Sequence, residues 1–135
     1  MIVVDTSAFV VAILSEEDGP AYAAAISGAE RCLVSAVTAY EARVVLGMRY
    51  PAAYLHALEE YLQEANAEVV AFAAEQARAA YDAYRHFGKG TGHPAGLNLA
   101  DCAAYALARS TGLPLLYKGR DFAHTDVLRV EISRA

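Results

Sequence analysis

The chain has only two cysteines, no long hydrophobic run and no excess of basic charge, and each shortage excludes a class of protein. Cys32 and Cys102 lie far apart and outside any CxxC pair, so neither a disulfide scaffold nor a thiolate zinc site is expected. Uncharged stretches reach about ten residues, whereas a membrane-spanning helix needs about 20 apolar ones. With 11 Lys and Arg against 16 Asp and Glu, the net charge of −5 argues against a generally basic nucleic-acid-binding surface.

The remaining composition predicts one compact domain over residues 1–135. Hydrophobic residues make up 56% of the chain, alanine occurs 30 times, and charged residues make up 20%, which excludes intrinsic disorder. A chain of 135 residues is long enough to bury a core without disulfides or a structural metal. The N-terminus has no basic segment and Asp5 interrupts its apolar run, so we expect no signal peptide, a cytoplasmic location and reduced thiols.

Short β-branched runs alternate with segments of helical periodicity along the whole chain. This alternation predicts βαβ units, and therefore a mostly parallel sheet of about four to five short strands with helices on both faces. Ligand sites in such folds lie at the carboxyl ends of the strands, near a topological switch point. Strands are predicted over residues 2–4, 31–34, 68–72, 114–117 and 127–132, and helices over residues 8–14, 21–27, 36–50, 52–65, 73–87 and 97–111.

Four acidic residues, Asp5, Glu41, Asp101 and Asp121, stand where a site of this kind would use them. Glu41 and Asp101 lie in otherwise apolar helical segments, and a buried acid must be paired, protonated or bound to metal. No basic residue stands at matching helical spacing to Asp101, and Arg43 is only two residues from Glu41 and so faces elsewhere. Ligation by oxygen atoms alone favours Mg²⁺ or Mn²⁺ over zinc.

Each of these acids also has a structural interpretation. Asp5 is a candidate N-cap, and Asp121 a candidate turn residue. Glu41 has the spacing of a capping box with Thr38, and Asp101 has the same spacing from Asn98. Other common sites are absent: the glycine-rich loop at residues 88–96 is not a P-loop, and the chain contains no GxSxG or HExxH motif.

Four segments in order along the chain resemble the motifs of the PIN-domain family, in particular the ribonuclease toxins of VapBC toxin–antitoxin systems. Each motif is weak alone, and the four together span nearly the whole chain. The family often has glycine where Ala100 stands and Asp or Asn where Arg120 stands, so Asp121 is the first choice for the fourth acid and Asp126 the second. The segments are residues 2–8 (IVVDTSA), 35–41 (SAVTAYE), 93–102 (HPAGLNLADC) and 115–122 (LLYKGRDF), followed by Thr125 and Asp126.

This resemblance implies a PIN-like three-layer α/β/α sandwich and a Mg²⁺- or Mn²⁺-dependent endoribonuclease. Asp5 and Asp101 would be the primary metal ligands, and Glu41 and Asp121 would complete the site directly or through water. Other residues then take supporting roles. Thr6, Ser7 and Asn98 would position substrate or water, and Arg43, Lys118 and Arg120 are candidate RNA contacts.

The implied partners are an RNA substrate, a cognate VapB-like antitoxin and a second copy of the chain in a homodimer. Surplus apolar surface on the alanine-rich helices would suit the last two. Another class of function stays open at this point. A PIN-like dimerisation or binding module with a degenerate metal site would also keep the fold, and Arg120 favours it weakly whereas the three intact acids argue against it.

Overall fold

The computed structural model of the protein describes residues 1–132 and shows strands and helices in regular alternation. Among these residues, no helix is long and apolar enough to cross a membrane. The strands are β1 (Ile2–Val4), β2 (Cys32–Ser35), β3 (Ala67–Val70) and β4 (Leu115–Leu116). The helices are α1 (Thr6–Leu14), α2 (Gly19–Gly28), α3 (Ala36–Arg49), α4 (Ala52–Gln63), α5 (Ala74–Phe87) and α6 (Leu99–Thr111), with a short 3₁₀ helix over Phe122–His124.

The four strands form one parallel sheet in the order β3-β2-β1-β4, as the βαβ pattern predicts. Val3 of β1 is in register with Leu33 on one side and with Leu115 on the other. The chain proceeds outward from β1 through β2 to β3 and then returns to the opposite side of β1. The topological switch point therefore lies between β1 and β4, where a ligand site is expected outside the carboxyl ends of the strands.

Helices cover both faces of the sheet, so the predicted three-layer α/β/α architecture is confirmed. Successive residues of a strand point to opposite faces. Accordingly Ile2 and Val4 pack with residues of α1, α2, α3 and α4, whereas Val3 packs with residues of α5 and α6. Helix α6 is buried along most of its length, because alanines from residue 103 onward allow close approach to the sheet. Both cysteines are free thiols in these cores.

The ends of the helices follow local capping chemistry. The Ser35 hydroxyl accepts a hydrogen bond from Val37 N–H at the start of α3, and the Asn98 side chain accepts one from Asp101 N–H at the start of α6. Helix α6 ends at Gly112, whose φ of 71° lies in the left-handed region that glycine adopts without strain. The predicted helices are thus confirmed, with boundaries that differ by one or two residues.

The predicted fifth strand over residues 127–132 is wrong. The structure keeps one parallel bridge there, in which Leu115 N–H donates to Leu128 O and Val130 N–H donates to Leu115 O. Strand β4 has only two residues, and the next carbonyl that a longer ladder would use, that of Tyr117, accepts the buried hydroxyl of Tyr22 at 2.7 Å. The ladder therefore has no continuation beyond this bridge.

Candidate active site

A cleft of about 340 Å³ opens at the carboxyl ends of β1 and β4, at the predicted switch point. Its walls come from α1 and the turn that follows it, from α3, from the start of α6 and from the residue after β4. The lining residues are Asp5, Thr6, Ser7, Val10, Val11, Glu16, Glu41, Val45, Asp101 and Lys118. Three acids from distant parts of the sequence, Asp5, Glu41 and Asp101, therefore meet in one cleft.

Asp5 is the deepest of these acids, with 3% of its surface exposed. It caps α1, and its Oδ2 accepts hydrogen bonds from Ser7 N at 3.0 Å and from Ser7 Oγ at 2.6 Å. Its Oδ1 is buried without a partner among the described residues. The pKa of Asp5 is raised to about 6, mainly by burial and also by the charge of Glu41, against the opposing hydrogen bonds from Ser7. Among the described residues, no cation offsets the charge of this buried carboxylate.

Asp101 has a structural role at the start of α6, and its pKa is raised as that of Asp5 is. Its Oδ2 accepts from Asn98 N–H at 3.0 Å while its own N–H donates to Asn98 Oδ1 at 2.7 Å, which completes a capping box. Burial raises its pKa to about 7, and the charge of Asp5, then those of Glu41 and Asp121, add to that effect. The capping box uses one carboxylate oxygen and aims the side chain, so the structural and functional interpretations of Asp101 are compatible.

Glu41 has no capping role, because the capping-box interpretation with Thr38 is wrong. Helix α3 begins three residues earlier than that interpretation needs, with Ser35 as its N-cap, so Thr38 and Glu41 both lie inside the helix. Glu41 lines the cleft from α3, and its charge raises the pKa of both Asp5 and Asp101. Glu41 thus lies near enough to Asp5 and Asp101 for its negative charge to act on both carboxyl groups.

The two candidates for the fourth acid lie in different surroundings. Asp121 precedes the 3₁₀ helix without capping it, and its charge raises the pKa of Asp101. Asp126 instead accepts a short hydrogen bond from the Tyr105 hydroxyl and lies 3.6 Å from the guanidinium of Arg109. Asp126 therefore has its own counter-charge outside the cleft lining, and Asp121 is the acid whose field reaches the site.

Two hydroxyl groups flank Asp5. The Ser7 hydroxyl donates to Asp5 and accepts from Lys118 N–H at 3.0 Å, which ties the end of β1 to the residue after β4. The hydroxyl of Thr6 is buried and lacks a partner among residues 1–132. Thr6 lines the cleft although its hydroxyl is buried, whereas the Ser7 hydroxyl is bound to Asp5 and the Asn98 side chain is bound to Asp101 N–H.

The three predicted basic contacts differ in position. Arg43 lies on α3 but is paired with Glu59 of α4, Nε to Oε1 at 2.6 Å, outside the cleft lining. Lys118 lines the cleft, and its Nζ lies 2.5 Å from Asp18 Oδ2. Arg120 is exposed in the turn before Asp121. Lys118 is thus the basic residue that the structure brings to the acids.

The cleft fits a hard divalent cation by its donor chemistry. Its donors are carboxylate and hydroxyl oxygens, one carboxylate oxygen of Asp5 is buried without a partner among the described residues, and burial together with the charges of neighbouring acids raises the pKa values of Asp5 and Asp101. Within the described part of the chain, no three Asp, Glu, His or Cys side chains are grouped so that they could hold a metal ion by themselves. Water molecules would therefore complete the coordination shell, as is common for Mg²⁺.

Sequence reasoning overlooked three residues of this region. Glu16 lines the cleft and Asp18 binds Lys118, although both looked like ordinary turn residues. Thr38 lies on α3 one turn before Glu41, and its buried hydroxyl has no partner among the described residues. The position of Thr38 three residues before the half-buried Glu41 was the available signal, whereas nothing local marked Glu16 or Asp18.

The fold and the cleft together define a parallel α/β protein with a carboxylate-lined site at the switch point of its sheet. The family model described as PIN domain matches residues 2–128. The chain belongs to the PIN-domain family and, within it, to the VapC group, as the following relatives show.

The curated relatives cover nearly the whole chain. Ribonuclease VapC28 of Mycobacterium tuberculosis is 44% identical over 127 residues, which is 94% of this chain and 96% of that protein. Ribonuclease VapC30 of the same species is 41% identical over 130 residues, 96% and 98% of the two chains.

Solved structures share the fold at lower identity. The M. tuberculosis toxin VapC20, described as cleaving the sarcin–ricin loop, has a TM-score of 0.77 and 16% identity over 96% of this chain and 98% of its own. VapBC2 of Rickettsia felis, bound to a DNA fragment from its promoter, gives a TM-score of 0.73 and 15% identity over 97% and 98%. The PIN-like fold predicted from the sequence is thereby confirmed.

Proposed function

We propose that the protein is a divalent-cation-dependent endoribonuclease, a hydrolase of RNA phosphodiester bonds that acts as the toxin of a VapBC-type toxin–antitoxin pair in the cytoplasm. The observation that carries the proposal is the convergence of Asp5 and Asp101, both with raised pKa values, in one cleft at the switch point. Membership of the VapC group supports RNA as the substrate.

In this proposal Asp5 and Asp101 hold Mg²⁺ or Mn²⁺, with Glu41 and Asp121 as further ligands directly or through water. A bound cation would supply an activated water and offset charge on the departing oxygen. The Ser7 hydroxyl keeps Asp5 in place through its 2.6 Å bond, as Asn98 does for Asp101. Glu41 orients the attacking water and accepts its proton.

Cleavage of single-stranded RNA by the purified protein tests this function directly. The wild type with Mn²⁺ or Mg²⁺ should cleave, and Asp5→Asn and Asp101→Asn should each abolish cleavage while the fold is kept, because asparagine retains the acceptor oxygen of each cap. Asp82→Asn, at an exposed acid of α5, is the matched control and should cleave like the wild type. A wild type that cleaves no RNA and is harmless when expressed would instead favour the non-catalytic module.

The antitoxin and the second copy of the chain need apolar surface, and α3 offers it beside the cleft. Tyr40, Val44 and Met48 recur at four-residue spacing and are 70%, 45% and 80% exposed, and Leu99 of α6 is exposed next to them. We propose that this surface, which reaches Glu41 through a shared groove, is covered by a VapB-like antitoxin or by the homodimer mate. A monomeric sedimentation coefficient at micromolar concentration would contradict the homodimer.

A further inference from the structure

The N-cap residue of α2 has its side chain bound to a residue far away in the sequence. Asp18 occupies the N-cap position of α2, where an aspartate side chain ordinarily accepts a hydrogen bond from a backbone N–H of the first turn. The Asp18 side chain makes no such bond. Its Oδ2 instead accepts from Lys118 Nζ at 2.5 Å, across a sequence separation of 100 residues. The Asp18 carboxylate, which is 17% exposed, thus binds Lys118 and does not cap α2.

The turn that carries Asp18 is held in a defined shape. Ser15 ends α1 with a φ of 54°, the single non-glycine residue in the left-handed region among those described. Gly19 N–H donates to Glu16 O at 2.7 Å, and a Cβ at Gly19 would lie 3.0 Å from Val11 O. Because glycine lets the turn pack this closely on α1, Asp18 is presented at a fixed distance from the cleft.

Lys118 is the one basic residue among the described residues that line the cleft. Its backbone N–H is bound to Ser7 Oγ, one hydrogen bond away from Asp5. The long lysine side chain has several rotatable bonds, and the acids of the cleft attract its ammonium group. An ammonium group among those acids would compete with a divalent cation. The ion pair with Asp18 holds it at the edge instead.

We propose that Asp18 is a positioning residue, which holds the Lys118 ammonium group at the edge of the acidic cleft as the contact for a phosphate of the RNA strand. This inference rests on the proposed ribonuclease function and deepens it by naming how an acidic site retains a polyanion. A phosphate approaching the cleft then meets a fixed cation before it meets the acids, and a lysine–phosphate contact is a charge-assisted hydrogen bond.

The test measures how substitutions of Asp18 and Lys118 change the affinity of the protein for RNA. The probe is a fluorescent single-stranded RNA, bound in the Asp101→Asn background, which is expected not to cleave. Asp18→Ser keeps a good N-cap but is too short to reach Lys118, and we expect about tenfold weaker binding, similar to Lys118→Ala. The double substitution should be no weaker than Lys118→Ala alone. Glu68→Gln breaks the exposed ion pair with Arg31, the residue before β2, and should leave affinity unchanged.

Whether Asp18→Ser weakens or strengthens RNA binding distinguishes a positioning role of Asp18 from an effect of net charge alone. Removing the negative charge of Asp18 should strengthen RNA binding if only net charge matters, so weaker binding supports the proposal. Asp18→Glu keeps the carboxylate and should bind within about twofold of the parent protein. In cleavage assays of the chain with Asp101 intact, Asp18→Ser should raise KM about tenfold and leave kcat nearly unchanged, because the acids of the cleft are untouched.

Affinity that is equal or higher after Asp18→Ser, or effects of Asp18→Ser and Lys118→Ala that simply add, would overturn the inference. These outcomes leave the ribonuclease function standing as long as the wild type cleaves RNA with Mn²⁺. A wild type that neither binds nor cleaves RNA would overturn the proposed function, and the inference with it.

Discussion

Replacing Asp5 with asparagine should change how the stability of the fold depends on pH. The pKa of Asp5 is raised by burial from its ordinary value of 3.8 to about 6, so ionising it costs about 3 kcal/mol more in the folded protein than in the unfolded chain. Between those two pH values the folded state binds more protons than the unfolded state. The free energy of unfolding therefore falls as pH rises through this window.

Asp5→Asn has no such titration, and the asparagine oxygen still accepts from Ser7. Relative to the wild type, we expect its free energy of unfolding to rise by about 2 to 3 kcal/mol between about pH 4 and about pH 7.5. Urea titrations with a chelator present measure this difference at each pH. A constant difference in stability between the two proteins would not affect how the free energy of unfolding changes with pH. The exposed acid Asp82 provides a control substitution, Asp82→Asn, whose stability should depend on pH as that of the wild type does.

Adding Mn²⁺ at about pH 7.5 completes the experiment. A ligand at 100 times its dissociation constant stabilises a protein by about 2.7 kcal/mol, so the wild type should gain about that much and Asp5→Asn far less. Parallel stability curves for the two proteins from acid to neutral pH would refute the burial argument. Equal stabilisation of both by Mn²⁺ would refute cation binding at Asp5.

Four further substitutions test the parts of the site around Asp5 and Asp101. Ser7→Ala should raise the pKa of Asp5 further, because the side-chain hydrogen bond that lowers it is lost while the backbone one is kept, and should shift the acid limb of the cleavage rate–pH profile upward; an unshifted limb would contradict this. Asn98→Ala should cost about 1 kcal/mol in urea unfolding through the lost cap, and an unchanged midpoint would argue against the capping box. Asp121→Asn should slow cleavage while Asp126→Asn leaves it unchanged, and the reverse ranking would make Asp126 the fourth acid.

The sequence by itself determined most of the secondary structure, the parallel sheet and the three acids that line the cleft. Strand and helix periodicity is a local property, and so is capping, which is why the role of Asp5 at the start of α1 and the Asn98–Asp101 capping box were both predictable. The position of Asp5 after β1 also followed, because parallel strands bring their carboxyl ends to one edge of the sheet.

Only the tertiary structure decided which residues meet across the fold. The Thr38 spacing that looked like a cap for Glu41 lies inside a helix that Ser35 starts, and the predicted last strand stops at one bridge because a hydroxyl from α2 takes the next carbonyl. The pairing of Lys118 with Asp18 likewise depends on how α2 packs beside β4. Such contacts join segments up to 100 residues apart, and no local pattern records them, because they follow from the packing of whole helices on the sheet.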